Sequence, residues 1–106
     1  MKMTIKAKTE KGRTAIKQHL KETYTEKAKK EMKKKKIAQS WDGTKGVLII
    51  KNNDWLFRKI HKTLYKIMPK EINIKVSLFI NDIREAMRKN GATLNDDYSL
   101  EVDLNE

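Results

Sequence analysis

The chain has 106 residues, no cysteine, and 25 Lys and Arg against 14 Asp and Glu, for a net charge of +11. Its length predicts one domain over residues 1–106 with a modest core, and the missing cysteines exclude disulfides, thiolate metal centres and cysteine nucleophiles and point to a cytoplasmic location. No apolar run reaches 18 residues and no apolar stretch follows the basic N-terminus, so neither a membrane span nor a secretory signal is expected.

Met3, Ile5 and Ala7 alternate with polar residues, predicting a half-buried strand that ends at Thr9. From Lys11 to about Met32, apolar residues recur every four positions at Ile16, Leu20, Tyr24, Ala28 and Met32, predicting one long helix. A four-residue repeat drifts about 40° per step against the 3.6-residue turn, so one surface cannot bury the whole stripe. The lysine-rich second half, residues 27–36, is expected to protrude, bend or fray.

Ile37 to Trp41 and Gly46 to Lys51 read as strands, with the hairpin signal Asp42-Gly43 between them. The unalternating run Val47, Leu48, Ile49 and Ile50 suggests a central strand. Asn53 or Asp54 can cap a helix that carries Leu56, Phe57, Ile60, Leu64, Ile67 and Met68 up to Pro69. Ile72, Ile74 and Val76 then alternate as a strand. Ser77 can cap a third helix through Ile80, Ile83 and Met87 to Asn90-Gly91, and Tyr98, Leu100, Val102 and Leu104 alternate as the last strand.

The predicted order is β-α-β-β-α-β-α-β: an α+β fold with a ferredoxin-like β-α-β-β-α-β core, an appended α-β, and three helices on a mixed sheet of about five strands. RNA-recognition modules share that core order but stack bases on sheet aromatics. Here Lys45-Gly46 is followed by Val47, Leu48, Ile49 and Ile50, so the stacking aromatics are missing and membership of that family is rejected.

Charge is the functional signal. Fourteen basic residues fall in the first 36 positions, ending in Lys33-Lys34-Lys35-Lys36, whereas the last 13 positions hold five carboxylates and no basic group. Such asymmetry predicts a polyanionic partner, most simply nucleic acid of unspecified type, held through its phosphates. The candidate contacts are Lys29, Lys30, Lys33, Lys34, Lys35 and Lys36, with Arg13, Lys17 and Lys21 on the exposed face of the preceding turns. Arg58, Lys59, Lys62 and Lys66 form a second cluster, and Trp41 beside Lys45 could stack on a base. Structural explanations compete with each: a lysine run is also what a solvated face looks like, and Trp41 and Trp55 suit a small core. The carboxylates Asp96, Asp97, Glu101, Asp103 and Glu106 could form a solvent face or pair with the basic third, in the same molecule or in a second copy of a homodimer.

An enzyme is not expected. Glu101 and Asp103 project to one face of a strand and, with Asp96 or Asp97, could hold Mg²⁺ for phosphodiester hydrolysis, a weaker reading. His19 and His61 lack a second ligand nearby, Ser40, Ser77 and Ser99 lack an adjacent base, and the glycines at 12, 43, 46 and 91 are too scattered for a phosphate loop. No catalytic residue, metal or cofactor is therefore assigned. The main alternative is a small accessory or inhibitory module, of a virus or mobile element for example, that docks on a protein.

Overall fold

A computed structural model describes residues 1–53 and 69–103, the side chains of 69–73 excepted. The helix expected before Pro69, with Trp55, Arg58, Lys59, Lys62 and Lys66, lies outside the described residues.

The described chain is α+β. Strand β1 (Lys2–Ala7) leads through helices α1 (Glu10–Thr23) and α2 (Glu26–Lys34) to β2 (Ile37–Asp42). A hairpin joins β2 to β3 (Val47–Asn52), and helix α3, described over Pro69–Lys89, precedes β4 (Tyr98–Asp103). The four strands form an antiparallel sheet in the order β2-β3-β1-β4. Thus β1 and β2 run the same way with β3 between them, and β2 and β4 are the two edges.

Register decides what is buried. Ile5 lies between Leu48 and Leu100, and Met3 between Ile50 and Val102, so one face is apolar right across the central strands. Ala15, Ile16 and Leu20 of α1 and Ile83 and Met87 of α3 close over it, and Met3, Ile5, Ala15, Ile16, Leu48 and Met87 lose all solvent exposure. Each of the larger of these side chains, Ala15 excepted, contributes about 1.5–3 kcal/mol by burial. The opposite face carries Lys6, Ser40, Lys51, Glu101 and Asp103, all exposed.

Two elements depart from the sequence expectation. Ile72–Val76 is helix rather than strand, which leaves four strands instead of five among the described residues, and these pair only antiparallel rather than as a mixed sheet. Five alternating residues fit either period, and Val76, Ile80, Ile83 and Met87 continue a helical stripe through them without a breaker. Ile74, off that stripe, is 52 % exposed, and Ser77 is an interior helical residue rather than a cap. Helix propensity disfavours β-branched residues by only tenths of a kcal/mol each, too little to break a 21-residue helix. Its C-terminus behaves as the Asn90-Gly91 signal implies: Gly91 takes φ +87°, and the amides of Gly91 and Ala92 donate to the carbonyls of Arg88 and Met87.

The second departure is the long N-terminal helix, which is two helices. Thr25 sits extended between them and its hydroxyl accepts from the Ala28 amide at 3.1 Å, starting α2 afresh, with Glu26 in its first turn. Splitting the helix resolves the drift of the apolar stripe: α1 keeps the buried Ala15, Ile16 and Leu20, and α2 buries no residue fully. Thr25→Ala is expected to cost about 1 kcal/mol in α2 alone. Hydrogen exchange should quicken at Ala28 and its neighbours while α1 and sheet amides keep their protection; uniform protection would refute the cap.

Candidate nucleic-acid interface

Helix α2 and the turn after it, residues 26–36, hold seven lysines and two glutamates. Every one of those lysines is exposed. At about 100° per residue, Lys27, Lys29, Lys30, Lys33 and Lys34 fill an arc of about 160° opposite the half-buried Ala28 and Met32. Lys35 caps the helix, its amide donating to the Glu31 carbonyl, and Lys36 takes a left-handed φ of 58° to turn the chain into β2.

The sheet separates this patch from the acidic strand. α2 packs on β2 at one edge, whereas Glu101 and Asp103 lie on β4 at the other. Three interstrand spacings of about 4.8 Å put the two edges about 14 Å apart, beyond the screening length of about 8 Å at physiological ionic strength. The carboxylates of β4 therefore do not neutralise the α2 lysines within one molecule. They face β1 instead, with Asp103 opposite Lys2.

The remaining candidates divide. Lys17 and Lys21 are exposed on α1, and Lys45 is exposed in the β2–β3 loop, where its amide donates to Asp42 Oδ1 at 3.1 Å. Arg13, expected on the exposed face, reaches the β2–β3 loop instead: its guanidinium donates to the Gly43 carbonyl and lies against Gly46, with Glu10 at 3.9 Å. Trp41 is half-buried against the core on the helix-covered face rather than presented at the hairpin tip. Both residues have structural work to do, and the exposed lysines make the patch.

Three neighbours of the lysines were not singled out from sequence: Tyr24, Met32 and Gln39. Tyr24 counts as core in a four-residue stripe, but the Thr25 break leaves it 64 % exposed, with Lys29 Nζ 5.3 Å from its ring centroid. The Thr25-Glu26 pair was the local signal for that break. With Leu20, Thr23 and Lys33, these residues border a groove of about 260 Å³ between the α1–α2 bend and β2. Gln39 Nε2 donates to Thr23 Oγ1 at 3.2 Å and to Met32 Sδ at 3.3 Å. A second groove of similar size runs beside Arg84, Arg88 and Tyr98, but there Arg88 is held by Glu85 at 2.8 Å.

The weaker hydrolytic reading loses a carboxylate, because Asp97 holds the fold together. Its oxygens accept from the Thr9 hydroxyl at 2.8 Å and the Thr93 amide at 2.9 Å, and its carbonyl accepts from the Lys8 amide. Among the described residues no group of three His, Cys, Asp or Glu could hold a metal ion, and no helix is long and apolar enough to cross a membrane.

His19 and Asp97 are two of the groups, with the Met1 amino group and Glu85, that make stability fall with acid. The Thr93 amide, then the Thr9 hydroxyl, hold the Asp97 carboxyl below its ordinary 3.8, while burial lowers His19 below 6.5 against the opposing pull of Glu22. In both cases the unfolded chain binds the proton more tightly, so the stabilisation is complete above the unfolded value and is lost as pH falls through the lowered folded one. Melting temperatures should fall in two stages on acidification, from about pH 6.5 and from about pH 4. His19→Gln should shrink the upper stage and Asp97→Asn the lower; unchanged profiles would overturn the assignment.

No protein-family model, curated protein or solved structure matches this chain.

Proposed function

We propose that this is a non-enzymatic nucleic-acid-binding protein whose affinity comes from lysine contacts to phosphates along α2. The observation that carries the reading is the segregation of charge across the sheet. Seven lysines crowd residues 26–36 at the β2 edge, and the carboxylates of β4 stand beyond screening distance at the other. A convex, basic helix of this kind meets a polyanion at many points without reading sequence, because phosphate contacts supply affinity and register rather than base discrimination.

The sheet order β2-β3-β1-β4, with helices in both crossovers, supports reading the arrangement as a split βαβ, ferredoxin-like core. Its open face carries lysine, serine and carboxylate rather than aromatics, which favours the α2 edge over the sheet as the contact surface.

The test is binding of the purified protein to labelled single- and double-stranded DNA and RNA across a salt series. Steep loss of affinity with salt supports phosphate contacts. Absence of binding near physiological salt would refute the reading and turn the search to a protein partner, in line with the accessory-module alternative.

A further inference from the structure

Gln39 Oε1 is the one buried side-chain nitrogen or oxygen among the described residues with no hydrogen-bond partner. Its orientation follows from its neighbour. The Thr23 hydroxyl lies 3.0 Å from the Leu20 carbonyl and 3.2 Å from that of His19, so its proton is committed to the helix and its lone pair must accept from the Gln39 amide nitrogen. The amide oxygen is thereby left without a donor. An unpaired buried acceptor is costly, so a donor that reaches it, such as the N–H group of a ligand seated in the groove, is favoured.

The same groove presents three further features of one ligand class. Tyr24 offers an aromatic face in solvent, and Lys29 and Lys33, one turn apart, supply two ammonium groups on the same border. An aromatic platform, an acceptor for an N–H donor and adjacent cations together match a nucleobase with its phosphate. A duplex does not satisfy this set, because its base edges are already paired and its rings already stacked.

We propose that the groove between the α1–α2 bend and β2 seats one unpaired base of a single-stranded nucleic acid, stacked on Tyr24 and donating to Gln39 Oε1, with phosphates on Lys29 and Lys33. This rests on the nucleic-acid reading above and narrows it to single strands. Because the oxygen has no accessible surface, the base reaches it only after bordering side chains such as Lys29 and Met32 shift. Both side chains are flexible, and α2 has no fully buried residue to resist the movement.

The experiment measures anisotropy of a labelled single strand and of the matching duplex with the full chain, Tyr24→Ala and Gln39→Met. Tyr24→Ala should weaken single-strand binding about tenfold, or 1.4 kcal/mol at 25 °C, and leave duplex binding unchanged. Gln39→Met should act in the same direction without lowering the melting temperature, since it removes an unsatisfied acceptor. Single-strand affinities equal to the parent's in both variants would overturn the base pocket; the phosphate reading would survive if replacing the lysines still abolished binding. A parent that binds neither strand form at low salt would overturn both.

Discussion

Gly12→Ala should destabilise the protein by about 3 kcal/mol and lower its melting temperature by about 15 °C, the reverse of what helix propensity implies. Gly12 lies in the first turn of α1, where alanine would ordinarily gain up to about 1 kcal/mol. Here a Cβ would sit 1.9 Å from the Asp97 carbonyl oxygen and 2.8 Å from its carbon. Neither atom belongs to a side chain that could swing away. The Asp97 backbone is pinned by the amides of Lys8 and Thr9 and by its own bond to the Thr93 carbonyl, so α1 would have to lift off the segment leading into β4. Gly91→Ala is the comparison: open space surrounds it, and its φ of +87° alone should cost about 1 kcal/mol. Urea denaturation of the two variants measures the difference, and a Gly12→Ala protein as stable as the parent would show that α1 does not approach Asp97 this closely.

Changing Lys33, Lys34, Lys35 and Lys36 together to glutamine should cut nucleic-acid affinity about tenfold or more and flatten the salt dependence by about 2 in log K per decade of salt. Each phosphate contact on duplex DNA contributes about 0.9 to that slope, so four contacts would give nearly twice the expected change. The lower figure follows from geometry. Successive residues on α2 point about 100° apart and Lys36 leaves the helix, so one polyanion meets about half of the four at once. All four are exposed, and removing neighbouring like charges relieves repulsion, so the melting temperature should hold or rise. Loss of binding could then be assigned to the contacts rather than to unfolding. A variant with the parent's affinity and slope would exclude this segment from the interface.

Part of the site was legible in the sequence because charge is counted, not folded. The crowding of lysine at 27–36 and of carboxylates at the C-terminus needs no structure to see, and surface lysines stay exposed wherever the backbone goes. Tyr24 and Arg13 were misread for a shared reason. Both were placed by helical periodicity alone, whereas the Thr25 cap turns the tyrosine outward and the β2–β3 loop draws the arginine in. Ile72–Val76 failed differently: five alternating residues are too few to separate two periods, and the longer stripe of α3 decided the matter.

Local chemistry in the sequence was enough to determine β1, the β2–β3 hairpin, β4 and the glycine stop at Gly91, since alternation, an Asp-Gly turn and a left-handed cap act over a few residues. Only the tertiary structure decided that β3 and β1 lie between the lysine helix and the acidic strand, that Gly12 must have no side chain, and that Gln39, with its unpaired oxygen, shares a groove with Tyr24. Those facts depend on residues 68, 85 and 15 positions apart being held apart or brought together, as with Lys33 and Glu101, Gly12 and Asp97, and Tyr24 and Gln39 on one groove. Such juxtapositions come from sheet order and helix docking, to which no short stretch of sequence has access.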